Sequence, residues 1–113
     1  MQIQINTDES VDGHEALARH AREVAGKALQ RFGDHLTRVE IHLRDVNGEK
    51  ISSDDKHVLI EARLAGRRPF AVRARAGSLH QALDSATRKL VRRIDSMVGR
   101  QISKRRASEL PEI

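Results

Sequence analysis

The sequence has no cysteine, no tryptophan and no tyrosine, and only two phenylalanines and two prolines among its 113 residues. Without cysteine there is no disulfide framework, no thiolate zinc site and no thiol nucleophile. No apolar run approaches the ~18–20 residues that a membrane span needs. Met1–Asn6 lacks the charged start and apolar stretch of a secretory signal. The expectation is a cytoplasmic, soluble chain of one domain, with a small aliphatic core and no membrane partner.

What is abundant is charge, and it is unevenly placed. The net charge is +5. Residues 1–62 carry 8 Lys and Arg against 12 Asp and Glu, whereas residues 63–106 carry 13 basic residues against only Asp84 and Asp95. The last seven residues add Glu109 and Glu112. A local excess of +11 over 44 residues suits a polyanionic partner better than a merely solvated surface does.

Hydrophobic periodicity predicts the elements. Gln2–Asn6 alternates polar and apolar residues, as a short strand does. Asp12 and Glu15 have the spacing of a helix capping box. A helix is expected over about 13–32, with Leu17, Ala21, Val24, Ala28 and Phe32 on its apolar face and Gly33 as its stop. Strands follow over about 37–46, 57–65 and 70–75. Asn47 to Lys56 forms a long loop between the first two of these, in which Asp54 and Asp55 are expected to be solvated. Ser78 and Gln81 form a second capping box. The helix after it runs over about 79–104, with Leu79, Leu83, Ala86, Leu90, Ile94 and Met97 in one stripe. Residues 1–104 are expected to form the domain, and residues 105–113 a flexible tail.

This order gives an α+β fold, β-α-β-β-β-α, in two layers. Strand–helix–strand implies a right-handed crossover that makes the first two strands parallel. The simplest packing is a four-stranded mixed sheet with two helices on one face. The other face is expected to be open, bearing Glu40, His42, Arg44, Glu61, Arg63, Arg73 and Arg75.

At 100° per residue, the second helix places Arg88 and Arg92 nearly opposite its apolar stripe, with Lys89, Arg93, Arg100 and Lys104 along one flank. The result is a cationic ladder roughly 25 Å long, able to follow a phosphate backbone. Lys27 and Arg31 of the first helix are candidate extensions. Cations near a helix C-terminus also relieve the macrodipole, which gives Arg100 and Lys104 a reason independent of any ligand. Proteins that grip single strands stack bases on aromatic rings, but Phe32 and Phe70 both fall on expected core faces. Recognition of phosphates and shape, as in structured RNA, is therefore favoured.

An enzyme is not expected. The six histidines have no metal-ligand spacing along the chain, and no glycine-rich phosphate loop follows a strand. No catalytic residue, metal, cofactor or small-molecule substrate is predicted.

Three segments carry a family resemblance: Thr37-Arg-Val-Glu-Ile-His-Leu, Val58-Leu-Ile-Glu-Ala-Arg-Leu, and Ala82-Leu-Asp-Ser-Ala-Thr-Arg-Lys-Leu-Val-Arg-Arg-Ile. With the element order, the Gln-Ile-Gln-Ile start and the basic terminal helix, they resemble the ribosome hibernation promoting factor and ribosome-associated translation inhibitor family. This family is also called the ribosomal subunit interface or sigma-54 modulation family. The resemblance covers about residues 1–104. It implies a fold similar to the double-stranded RNA-binding fold and binding to the small ribosomal subunit (16S rRNA) in stationary phase or stress. It also implies occlusion of the messenger and transfer RNA channel. It assigns rRNA contacts to Lys89, Arg92 and Arg93, with Arg88, Arg100 and Lys104 beside them, and it places the chain with the short class. The alternatives are a general structured-RNA-binding or stress adaptor module without ribosomal specificity, and a protein-interaction module using the open sheet face or a sheet edge.

Overall fold

The computed structural model describes residues 1–8, 14–45 and 55–109, excepting the side chains of His14 and of residues 100–109. The elements are β1 (Gln2–Thr7), α1 (His14–Leu29), a 3-10 segment (Gln30–His35), β2 (Leu36–Asp45), β3 (Lys56–Leu64), β4 (Phe70–Ala76) and α2 (Leu79–Glu109). The sheet order is β1-β2-β3-β4. β1 runs parallel to β2, and the two later pairings are antiparallel. This is the expected β-α-β-β-β-α mixed sheet.

Alternation decides which face each strand buries. Val39, Ile41 and Leu43 of β2 and Val58, Ile60, Ala62 and Leu64 of β3 point into the core, with Val72 and Ala74 of β4 beside them. Leu83, Ala86, Leu90 and Ile94 of α2 close over them. Each fully buried Leu or Ile contributes ~1.5–3 kcal/mol relative to exposure. Alanines on both sides, Ala62 and Ala74 facing Ala82 and Ala86, keep α2 close to the sheet. Thr87, also buried, satisfies its hydroxyl by donating to the Leu83 carbonyl at 2.7 Å.

Two differences from the expected pattern have local causes. In α1 the deeply buried residues are Leu17, Ala21, Ala25 and Leu29, whereas Val24 and Ala28 are only half-buried. The chain offers two adjacent apolar stripes there, and contact with both β1 and α2 turns the helix by about one residue. The α-helical geometry then ends at Leu29, and a 3-10 segment carries the chain to His35. Within it Gly33 takes φ 52 and ψ −127, a combination open to glycine and costly for other residues. Helix α2 runs to Glu109, five residues past its expected end at Lys104. Pro111 follows two residues beyond Glu109 in the sequence, and the α region is disfavoured for a residue before proline.

Local hydrogen bonds fix the register. The strand pairing shifts at Thr37, where the hydroxyl donates to the Arg63 carbonyl at 3.0 Å. Gly66 (φ 73) sits in the turn closed by Arg67 N–H donating to the Leu64 carbonyl. The Ser78 cap holds, since Gln81 N–H donates to Ser78 Oγ at 3.1 Å. The Asp12 cap and the loop from Asn47 to Asp54 lie outside the described residues. Asp55 is buried rather than solvated, and accepts a hydrogen bond from Lys56 at 3.3 Å.

Candidate nucleic-acid interface

The site is built where α2 lies along β4, an edge strand of the sheet. Helical rotation puts Lys89, Arg92, Arg93 and Ser96 on the flank of α2 turned towards that strand. With Val72 they line an open groove of about 620 Å3. Lys89 Nζ donates to the Arg73 carbonyl at 2.9 Å. The Arg93 guanidinium lies over the Phe70 ring, 5.0 Å from its centroid, and this cation–π contact holds the fork against the strand start. Arg92 projects freely and is exposed. Among the described residues no ion pair engages Lys89, Arg92 or Arg93.

The structure thus brings together three of the residues singled out in the sequence. The others are placed differently. Arg88 is exposed on α2 but does not line the groove. No ion pair joins it to Asp84 among the described residues. Arg31 forms an ion pair with Asp95 of α2 and lies over the ring of Phe32 at 4.9 Å, so its guanidinium is already engaged. Lys27 is exposed in the last turn of α1. Arg100 and Lys104 lie on the α2 backbone, with side chains outside the described residues. Of the two aromatic residues, Phe32 is buried in the core, whereas Phe70 is only half-buried and meets Arg93. Sequence reasoning missed the Arg73 carbonyl and Ser96. The carbonyl carries no side-chain signal, and Ser96 is marked only by its helical spacing from Arg92 and Arg93.

The open face of the sheet is divided. Near its middle, Glu40 of β2 lies directly opposite Glu61 of β3. His42 Nε2 sits 3.1 Å from Glu61 Oε1 and 3.7 Å from Glu40 Oε1, without the alignment of a hydrogen bond. Asn6 donates to Glu40 at 2.7 Å. The donor atoms of Glu40, His42 and Glu61 lie within 4.8 Å of one another, a cluster drawn from two strands and so invisible to spacing along the chain. His42 and His57 lie diagonally on neighbouring strands, since His42 pairs with Leu59 and His57 with Arg44.

At the loop end of β2 and β3, Lys56 lies opposite Asp45 and donates to it at 2.7 Å. The hydrogen bond to Asp45, outweighing partial desolvation and helped by Asp55, raises the Lys56 pKa above its ordinary value of 10.5. No helix among the described residues is long and apolar enough to cross a membrane.

Known proteins give this geometry a context. A ribosomal subunit interface protein from Coxiella burnetii is similar in structure, with a TM-score of 0.63 and 22% identity, covering 88% of this chain and 99% of that one. The Protein Y N-terminal domain of Thermus thermophilus has a TM-score of 0.67 and 16% identity, covering 86% of this chain and 99% of that one. No curated protein matches the sequence. The family described as sigma 54 modulation protein / S30EA ribosomal protein matches residues 3–102. Spanning most of the sequence and all four strands, that match shows that the chain belongs to this family.

Proposed function

We propose that this chain is a ribosome-associated hibernation factor that binds small-subunit rRNA in the cytoplasm and inhibits translation by filling the channel of messenger and transfer RNA. The observation that carries the reading is the groove of Lys89, Arg92 and Arg93 beside β4, cationic and without acidic partners among the described residues. Arginine forks fit phosphates bidentately, and no exposed aromatic ring is offered for base stacking. Family membership and similarity to a protein named for the ribosomal subunit interface support the ribosome as the source of that RNA. The action is occupancy rather than chemistry.

Co-sedimentation with 30S subunits at low and high salt tests the proposal. Binding at low salt, steeply weakened as salt rises, is expected from counterion release. Arg92→Glu combined with Arg93→Glu should abolish binding while leaving the circular dichroism spectrum unchanged. Failure of the unaltered chain to sediment with subunits at low salt overturns the proposal. The groove contains no base-reading ring, which also favours a second reading as a general structured-RNA module. Equal affinity for an arbitrary RNA hairpin and for 30S subunits would decide for that reading.

A further inference from the structure

The open face of the sheet carries a second group of cations, on the other side of β4 from the helix groove. Arg44 of β2 lies directly opposite His57 of β3, and His57 lies directly opposite Arg75 of β4. Arg73, two residues before Arg75 on β4, faces the same way. With Leu59 and His42 these residues surround a shallow concavity of about 360 Å3, and among the described residues no acidic side chain lines it.

This arrangement costs stability. Arg73 and Arg75 lie two apart on β4, and Arg44 lies across His57 from Arg75, so three like charges share one patch and repel. Elsewhere the same face relieves such repulsion with acids, as where Arg38 meets Glu40 at 3.4 Å. Here, among the described residues, only Arg44 has an acidic partner, Asp8 at 3.6 Å, in a pair exposed enough to be weak. Among the described residues no ion pair engages Arg73 or Arg75.

We propose that this concavity is a phosphate-binding site for a second stretch of RNA backbone, separate from the stretch held by the α2 groove. The proposal rests on the RNA-binding reading above. Arg73 and Arg75 stand about 7 Å apart along the strand, so together with Arg44 they span successive backbone groups rather than one small ion. The two sites share a residue. The Arg73 side chain belongs to the sheet face, while its carbonyl accepts the Lys89 hydrogen bond on the helix side. β4 is therefore a thin wall with phosphate-seeking groups on both sides.

The test uses the full chain and a double variant, Arg73→Gln with Arg75→Gln. Co-sedimentation with 30S subunits is measured across a salt series. Each lost phosphate contact lowers the slope of log affinity against log salt by about 1, so the double variant should lose about 2 in slope and bind at least tenfold more weakly. Arg38→Gln with Arg63→Gln, at the opposite end of the face beside Glu40 and Glu61, should keep the parent slope. An unchanged slope and affinity in the Arg73/Arg75 variant overturns the sheet site and leaves the helix groove standing. A second arm titrates the unaltered chain with a 16-base-pair RNA duplex by NMR, following arginine Nε–H signals. Shifts at Arg73 and Arg75 as well as Arg92 and Arg93 support the site. Shifts confined to Arg92 and Arg93 overturn it. Binding of the duplex at all four arginines without binding to subunits supports the sheet site and removes the ribosomal reading instead.

Discussion

Lys89 Nζ donates a 2.9 Å hydrogen bond to the carbonyl oxygen of Arg73, tying the cationic flank of α2 to the edge strand beside it. The bond occupies an edge acceptor that would otherwise face solvent or another strand, and lysine at an edge is one of the ways sheets resist unwanted pairing. The ammonium keeps further N–H donors for a phosphate.

Lys89→Met separates these roles. It removes the bond and the charge while keeping much of the stem's packing. Subunit binding should weaken with a shallower salt dependence, whereas urea denaturation should show a loss of only about 1 kcal/mol, the usual net contribution of one hydrogen bond. A much larger loss of stability would mean that the bond holds α2 in place.

Arg93→Lys tests the fork. A lysine retains the charge but cannot bind phosphate bidentately or lie flat over Phe70. Affinity for 30S subunits should fall about three- to tenfold with little change in salt slope, because the number of cations is the same. Filter binding over a salt series would show both quantities.

Gly33→Ala isolates backbone strain. No heavy atom lies within 4 Å of where the added Cβ would stand, so crowding is not at issue. The positive φ remains, and a loss of roughly 1–3 kcal/mol is expected for a residue held in such a conformation. Chemical denaturation of the pair measures it, with the α2 groove unaffected.

Alkaline pH should expose the contribution of Lys56. Its pKa in the folded chain is raised above the ordinary 10.5, first by the Asp45 hydrogen bond. The resulting stability is therefore fully present below about 10.5 and is lost as pH rises through the higher folded value. The chain has no tyrosine or cysteine to titrate in the same region. Stability of the unaltered chain should decline above pH 10.5 more steeply than that of Lys56→Met, as followed by thermal melts at increasing pH.

The sequence carried the architecture well because each strand exposes one face. Ile41 and Leu43 alternate with His42 and Arg44, and nothing in the tertiary structure contradicts that pattern. The stripe of Leu83, Leu90 and Ile94 was equally plain, since no rival stripe exists on α2. Helix α1 was ambiguous because Val24, Ala25, Ala28 and Leu29 form two neighbouring stripes, and only packing against β1 and α2 selects between them. In the candidate site, Lys89, Arg92 and Arg93 were readable from helical rotation alone. The engagement of Arg31 by Asp95 was not, since 64 residues separate the partners. Nor was the row of Arg44, His57 and Arg75. It depends on strand register, and that register shifts between Leu36 and Arg38 without a signature in residue type.

The pairing of Arg31 with Asp95 has a consequence for kinetics. It neutralises an acid of α2 on the side of α1, while the cations on the side of β4 keep their full charge. The net positive charge of the helix thus lies off its axis, towards β4. In the field of a polyanion such a body experiences a torque, and it turns its cationic flank forward before contact. Association should thus be fast at low ionic strength and selective in orientation, and both properties should fade together once the Debye length shrinks to ~3 Å at molar salt.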